Sequence, residues 1–361
     1  MKNRPFILVP GPSALYFTVE DHLKEALALQ VPSISHRSEF YTEIHRETVS
    51  NIRKLLNIPS DFHVFFTGSA TEVWERIAQN LIIAKSGHVV NGAFSKKNFE
   101  AAKAMGVDAH KIEAVEGDLP NVTAESFPKD IEVLNFTHNE TSTGVMTPMD
   151  NIREARNLYP DAIISLDVVS SAPYVDIDFE AVDTAYFSVQ KCFGLPAGLG
   201  VWIVNDRCVQ KAKEKSQAGH SLGSYHSIPS LLKMAVKDQT PETPNVLGVY
   251  LLGKVAGDML NKGLDVLRRE TIYKSTVLYE TLKKHPSLSP LAEKEELQSK
   301  TVVVAKCEGG SERFLKALAE KGLQPGSGYG GAKNTQIRIA NFPTHSKELI
   351  EMLSDELMKI D

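Results

Sequence analysis

Ser165-Leu166-Asp167-Val168-Val169-Ser170-Ser171 and, further along, Ser188-Val189-Gln190-Lys191-Cys192-Phe193-Gly194 are the stretches on which the fold turns. The first closes an apolar run, Ala162-Ile163-Ile164-Ser165-Leu166, of the length of a buried strand, and Asp167 stands at its carboxyl end. The second closes another strand-like run, Thr184 to Val189, and leads into Gly194-Leu195-Pro196-Ala197-Gly198. Similar runs are Val64-Phe65-Phe66, His88-Val89-Val90, Glu132-Val133-Leu134 and Val201-Trp202-Ile203-Val204. Amphipathic helical patterns lie between them, for example Thr71 to Ala84 and Lys96 to Met105. Strands alternating with helices predict an α/β domain around a mostly parallel sheet.

Outward from this centre the pattern changes. Val246 to Lys284 has helical spacing with a break near Gly263, and Lys300 to Ala305 and Gln336 to Ala340 read as strands before a closing helix, Ser346 to Lys359. This predicts a smaller C-terminal α+β domain, joined by the N-terminal arm. The chain has 361 residues, 42% hydrophobic and 24% charged, with 40 Lys+Arg against 45 Asp+Glu and a formal net charge of −5. Mild acidity argues against nucleic-acid and membrane partners, which call for a basic surface. The apolar run ending at Val9 is broken by Pro10-Gly11-Pro12 and is too short for a signal segment or a membrane span. Cys192, Cys208 and Cys307 are too few and too scattered for a disulfide framework or a zinc site. A cytoplasmic location and no metal are expected.

Three motif matches are set aside. Gly326, Gly328 and Gly331 satisfy G-x-G-x-x-G, but a strand follows them where a helix should, so a flexible loop is expected. Gly248 to Lys254 has P-loop spacing, yet Val255 replaces the magnesium-binding hydroxyl and the intervening residues suit a buried helix. His138-Asn139-Glu140 lacks a second histidine one helical turn away, as a zinc motif would require.

The chemistry lies elsewhere. Open α/β sheets bind ligands beyond the carboxyl ends of their strands. Asp167 and Lys191, delivered there by consecutive strands, can flank one flat heteroaromatic ligand. Pyridoxal phosphate needs that arrangement: a lysine amine to hold its aldehyde as a Schiff base and an acid to pair with its ring nitrogen. Thr67-Gly68-Ser69-Ala70-Thr71, between a strand and a helix, supplies small residues where backbone N–H groups can meet a phosphate at a helix N-terminus. Plain N-capping by Ser69 or Thr71 is the competing reading.

With these residues in place, the chain is similar to the class V, fold type I aminotransferases, and within them to the phosphoserine branch. Ile34 to Phe40, Asn139 to Val145 and Thr243-Pro244-Asn245 add matches in family order. The resemblance spans nearly the whole chain. It implies a large domain with a mostly parallel seven-stranded sheet over 16–250, a small α+β domain over 251–361, and an arm, 1–15, packing with the small domain. It further implies a homodimer with a shared active site and pyridoxal 5′-phosphate as cofactor. Lys191 is then the Schiff-base lysine and proton carrier, and Asp167 the partner of the pyridine nitrogen. Phe94 would stack on the ring, where tryptophan is common. Thr141 and Gln190 would bond the cofactor; Ser69, Ala70 and Thr71 would cradle its phosphate. Thr243 would reach that phosphate from the second subunit, although Glu242 stands beside it where asparagine is usual, and Gln239-Thr240 is an alternative register. His36, Arg37 and Arg338 would bind substrate, Arg338 through the α-carboxylate. Thr71 replaces a common arginine, and the His-Arg pair expected before Arg338 is absent, with Lys333 a nearby cation. The activity implied is transamination between L-glutamate and 3-phosphohydroxypyruvate; an alanine– or serine–glyoxylate aminotransferase is the alternative. A cysteine desulfurase or a non-catalytic relative fits the residues less well.

Overall fold

The computed structural model describes residues 5–360. Seven strands form the large sheet, in the order Phe62–Thr67, Gly200–Asn205, Thr184–Ser188, Ile163–Asp167, Val133–Thr137, Lys85–Val90 and Asp108–Glu113. Only Gly200–Asn205 runs against the others. Successive side chains on a strand point to opposite faces, and here both faces are covered by helices. Phe65, Val133, Ile163, Tyr186 and Trp202 enter one core, while their neighbours Phe66, Leu134, Ile164, Phe187 and Val201 enter the other. Two-sided burial explains why these strands read as continuous apolar runs rather than alternating ones. Asp108–Glu113, at the sheet edge, is partly exposed and carries Asp108, His110, Lys111 and Glu113. Those charges suit an edge strand and hid it from the apolar pattern.

The helices Val246–Lys262 and Leu264–Lys284 meet at Gly263, whose φ of +89° falls where glycine is favoured. Gly248 to Lys254 lies inside the first, packed against the helix Glu39–Leu55. A Cβ at Gly253 would come within 2.3 Å of Thr48 Oγ1, so the glycine permits the close crossing. Apolar residues of Val246–Lys262 as far as Met259 join the large core. The division expected at residues 250 and 251 therefore falls inside this helix.

The second sheet has the order Phe6–Leu8, Leu323–Ser327, Gln336–Ala340, Val302–Cys307, Leu288–Pro290. The arm strand Phe6–Leu8 pairs in parallel with Leu323–Ser327, and Leu8 is buried in the small core. Gly326 lies in a strand, and a Cβ at Gly328 would clash with Ala332 O at 2.1 Å. The flexible loop expected for the G-x-G-x-x-G match is thus corrected to a strand end followed by a tight turn. Among the described residues no helix is long and apolar enough to cross a membrane.

Candidate active site

Six strands of the large sheet end on one side, and five of them lead to the site. Phe62–Thr67 runs into the helix Ala70–Leu81, and Lys85–Val90 into the helix Ala93–Ala104. Val133–Thr137 leads to Asn139–Glu140, Ile163–Asp167 ends at Asp167 itself, and Thr184–Ser188 is followed by Gln190 and Lys191. Their ends surround a cavity lined by Ala70, Thr71, Trp74, Phe94, Thr141, Asp167, Gln190 and Lys191. The spread of positions is what a parallel sheet achieves: distant segments meet at one edge.

Lys191 is buried, and its Nζ donates to Thr141 Oγ1 at 2.8 Å. Thr141 in turn donates to Ser170 Oγ at 2.9 Å, and Ser170 donates to Asn139 O at 2.9 Å. Burial disfavours the ammonium and pushes Lys191 down to about 8, against the upward pull of Asp167 and Glu140. Roughly a tenth is then neutral amine at pH 7, far more than for an ordinary lysine, and the neutral amine is the form that attacks a carbonyl. Burial pushes Asp167 up to about 7, although the Val169 N–H donates to its Oδ1 at 2.9 Å and Lys191 pulls the other way. A carboxyl so poised is ready to share a proton with a ring nitrogen. The Phe94 ring faces Lys191, its centroid 4.9 Å from Nζ.

The turn before Ala70–Leu81 is largely spoken for. Ser69 Oγ accepts the Glu72 N–H at 3.1 Å, the Ala70 N–H donates to Ser188 Oγ at 2.7 Å, and the Gly68 N–H donates to Glu72 Oε2 at 2.8 Å. The Ser69 hydroxyl therefore caps the helix and is not among the cavity's lining groups. Among the described residues the Thr71 N–H finds no acceptor, at an exposed helix N-terminus suited to an anion. The buried Trp74 Nε1 is likewise without an acceptor. An amine, an acid, an aromatic face and open donors at a helix N-terminus together fit pyridoxal phosphate.

Arg338, from the small domain, does not itself line the cavity but bonds Thr141, which does. Its Nε donates to Ser327 O at 2.8 Å and its Nη1 to Thr141 O at 3.4 Å, with the guanidinium 5.3 Å from the Tyr329 ring centroid. Lys333 is exposed beyond the turn Gly330–Ala332 and does not line the cavity.

His36, Arg37 and Thr243 do not line it either; they form a second cluster. Arg37 donates to Gln239 Oε1 at 2.9 Å, Thr240 O at 2.8 Å and Pro241 O at 3.2 Å. His36 Nδ1 lies 3.3 Å from Thr243 Oγ1. The Glu242 carboxylate faces away, 3.2 Å from His226 Nε2, while His226 Nδ1 bonds Glu72. Burial alone would lower His226, but the two carboxylates outweigh it and raise it to about 9.

Glu140, Ser170, Trp74, Tyr329 and His226 were not foreseen. Glu140 alone left a trace in the sequence, as a lone acid inside the otherwise uncharged Asn135 to Met149.

Residues 11–358 match the family described as Aminotransferase class-V. A phosphoserine aminotransferase from Nocardioides sp. is 27% identical over 351 residues, covering 95% of this chain and 92% of the relative. Among solved structures, a phosphoserine aminotransferase from Cytophaga hutchinsonii is 44% identical, with a TM-score of 0.96 and 99% of both chains covered. An alanine–glyoxylate aminotransferase from Nostoc sp. has a TM-score of 0.80 at 20% identity, covering 99% of this chain and 96% of that one, a likeness of fold alone.

Proposed function

The chain belongs to the class-V aminotransferases, and from that premise we propose that it exchanges an amino group between L-glutamate and 3-phosphohydroxypyruvate, forming O-phospho-L-serine and 2-oxoglutarate. It is a pyridoxal-phosphate enzyme acting on small amino and 2-oxo acids. The bound cofactor supplies the electron sink for amino transfer. Lys191 Nζ would hold the cofactor's aldehyde carbon and is the group that would carry the proton to and from the substrate Cα. Asp167 keeps the ring nitrogen protonated, Phe94 supports the ring face, and Thr141 and Gln190 orient its polar edge. Thr71, with Ala70, meets the phosphate. Arg338 pairs with the substrate α-carboxylate, for which a planar guanidinium is well shaped.

One observation carries the choice of a phosphorylated substrate. The exposed Arg37 bonds only neutral acceptors and pairs with no carboxylate among the described residues, so its charge is uncompensated. His36 is lowered by its partial burial and by Arg37, which makes it a neutral hydrogen-bonding neighbour rather than a second cation. The cluster stands apart from the cavity of its own chain, which supports a homodimer in which a second copy delivers His36, Arg37 and Thr243. Thr240 Oγ1 bonds Glu242 O at 2.7 Å and Gln239 bonds Arg37, which favours Thr243 as the hydroxyl offered to the cofactor phosphate. The relatives named phosphoserine aminotransferase point the same way.

The test is to add O-phospho-L-serine, L-alanine and L-serine separately to the loaded enzyme and follow the cofactor band near roughly 410 nm. Bleaching by phosphoserine at far lower concentration is expected. Equal bleaching by alanine or serine would replace this reading with a glyoxylate-type aminotransferase.

A further inference from the structure

Glu140 has no part in the roles given above, yet its side chain is fully buried at the edge of the cavity. Its Oε2 accepts the Phe94 N–H at 3.1 Å, the Ser95 N–H at 3.0 Å and the Ser95 hydroxyl at 3.0 Å. Its Oε1 accepts the Ser142 N–H at 3.1 Å and the Ser142 hydroxyl at 2.7 Å. Phe94 and Ser95 open the helix Ala93–Ala104, whose N-cap, Gly92, has no side chain. A carboxylate from another segment therefore caps this helix, where N–H groups and dipole favour an anion. Gly92 leaves the room: a Cβ there would lie 2.3 Å from Glu140 Cγ. No lysine, arginine or histidine forms an ion pair with Glu140 among the described residues, so its direct partners are the N–H and O–H donors of Phe94, Ser95 and Ser142.

We propose that Glu140 is a positioning residue of the active site: by capping Ala93–Ala104 it holds the Phe94 ring over Lys191, and its fixed negative charge acts on the Lys191 amine. The following residue, Thr141, accepts from Lys191 Nζ, so the segment that carries the charge also orients the amine. The coulombic pull of Glu140 opposes the burial that lowers Lys191, and its loss leaves burial less opposed. This inference rests on pyridoxal phosphate binding at Lys191 and not on which amino acid is the substrate.

The test strips the cofactor, adds pyridoxal phosphate back, and measures the rate at which the lysine-bound band returns as a function of pH. Glu140→Gln keeps the shape and loses the charge; the midpoint of that profile is expected to fall by about half a unit or more. Glu140→Asp keeps the charge but withdraws it from the helix by one methylene. Its midpoint is expected to stay near wild type while the cofactor dissociates several-fold faster. A folded Glu140→Gln with an unmoved midpoint would overturn the electrostatic role, and an Asp variant holding cofactor as wild type does would overturn the capping role. Should the Gln variant fail to fold, Ser142→Ala decides. It removes one donor from the carboxylate, leaves the charge less neutralised, and should raise the midpoint; no change would overturn the proposal. Both readouts use pyridoxal phosphate alone, so a failure here is separable from a failure of the phosphoserine assignment.

Discussion

Around Lys191, polar groups are buried and answered within the chain: Nζ by Thr141, Thr141 by Ser170, and Glu140 by the first turn of Ala93–Ala104. Around Arg37, a guanidinium rests on one side-chain oxygen and two backbone carbonyls, beside a histidine and an exposed threonine. A buried unsatisfied polar group costs about 1–3 kcal/mol, so the groups around the Lys191 amine are paired before a ligand arrives, with Trp74 Nε1 left open among the lining groups. The second region is exposed in the single chain, so its unpaired charge carries no such cost there. Groups with shifted proton affinities stand where burial can shift them, and the uncompensated guanidinium stands where the single chain leaves it exposed.

The sharpest break of this comparison is Lys191→Ala, which is expected to lower transamination by at least about 10³-fold and to abolish the lysine-bound band. Asp167→Asn should keep the shape of the cavity and lower kcat by roughly 10²-fold, because an amide cannot hold the ring nitrogen's proton. Steady-state kinetics on the loaded variants checks both. Arg37→Ala belongs to the other region and should act differently. It should raise KM for the phosphorylated substrate about 10- to 100-fold, as for loss of a charge-assisted contact worth about 1.5–3 kcal/mol, and leave the cofactor band unchanged. A variant that lost the band as well would erase the distinction between the regions.

A smaller effect joins the two. His226 links Glu72, beside the Gly68–Thr71 turn, to Glu242, beside Thr243. Its proton affinity is raised in the folded chain, so its contribution is whole below about pH 6.5 and is lost as pH rises through about 9. The melting temperature of the wild type should exceed that of His226→Gln by about 2 °C or more at pH 6.5, and the gap should close near pH 10. A gap independent of pH would contradict the ionic link.

How much of this was legible beforehand follows the same division. Asp167 and Lys191 end consecutive apolar runs, and such runs mark strands buried on both faces, so position and chemistry could be read together. Phe94, Thr141 and Arg338 needed the family resemblance, because nothing local distinguishes them from a helix-start aromatic, a turn threonine or a strand arginine. Ser170, Trp74 and Tyr329 became visible only when the sheet brought distant segments to one edge. His226 answers Glu72 across 154 positions of sequence, and no local pattern carries such a contact. The edge strand Asp108–Glu113 escaped because its charges protect it from pairing with other chains.

The most direct test of the account mixes two impaired proteins and assays them at a phosphorylated-substrate concentration well below the raised KM of Arg37→Ala. Lys191→Ala and Arg37→Ala are co-refolded or co-expressed so that subunits reassort, and phosphoserine transamination is assayed on the mixture. If one copy supplies Lys191 and the other Arg37, half of the dimers are mixed and each has one intact site, restoring about a quarter of wild-type activity. Activity no greater than the sum of the two variants assayed separately would contradict a site completed across two copies.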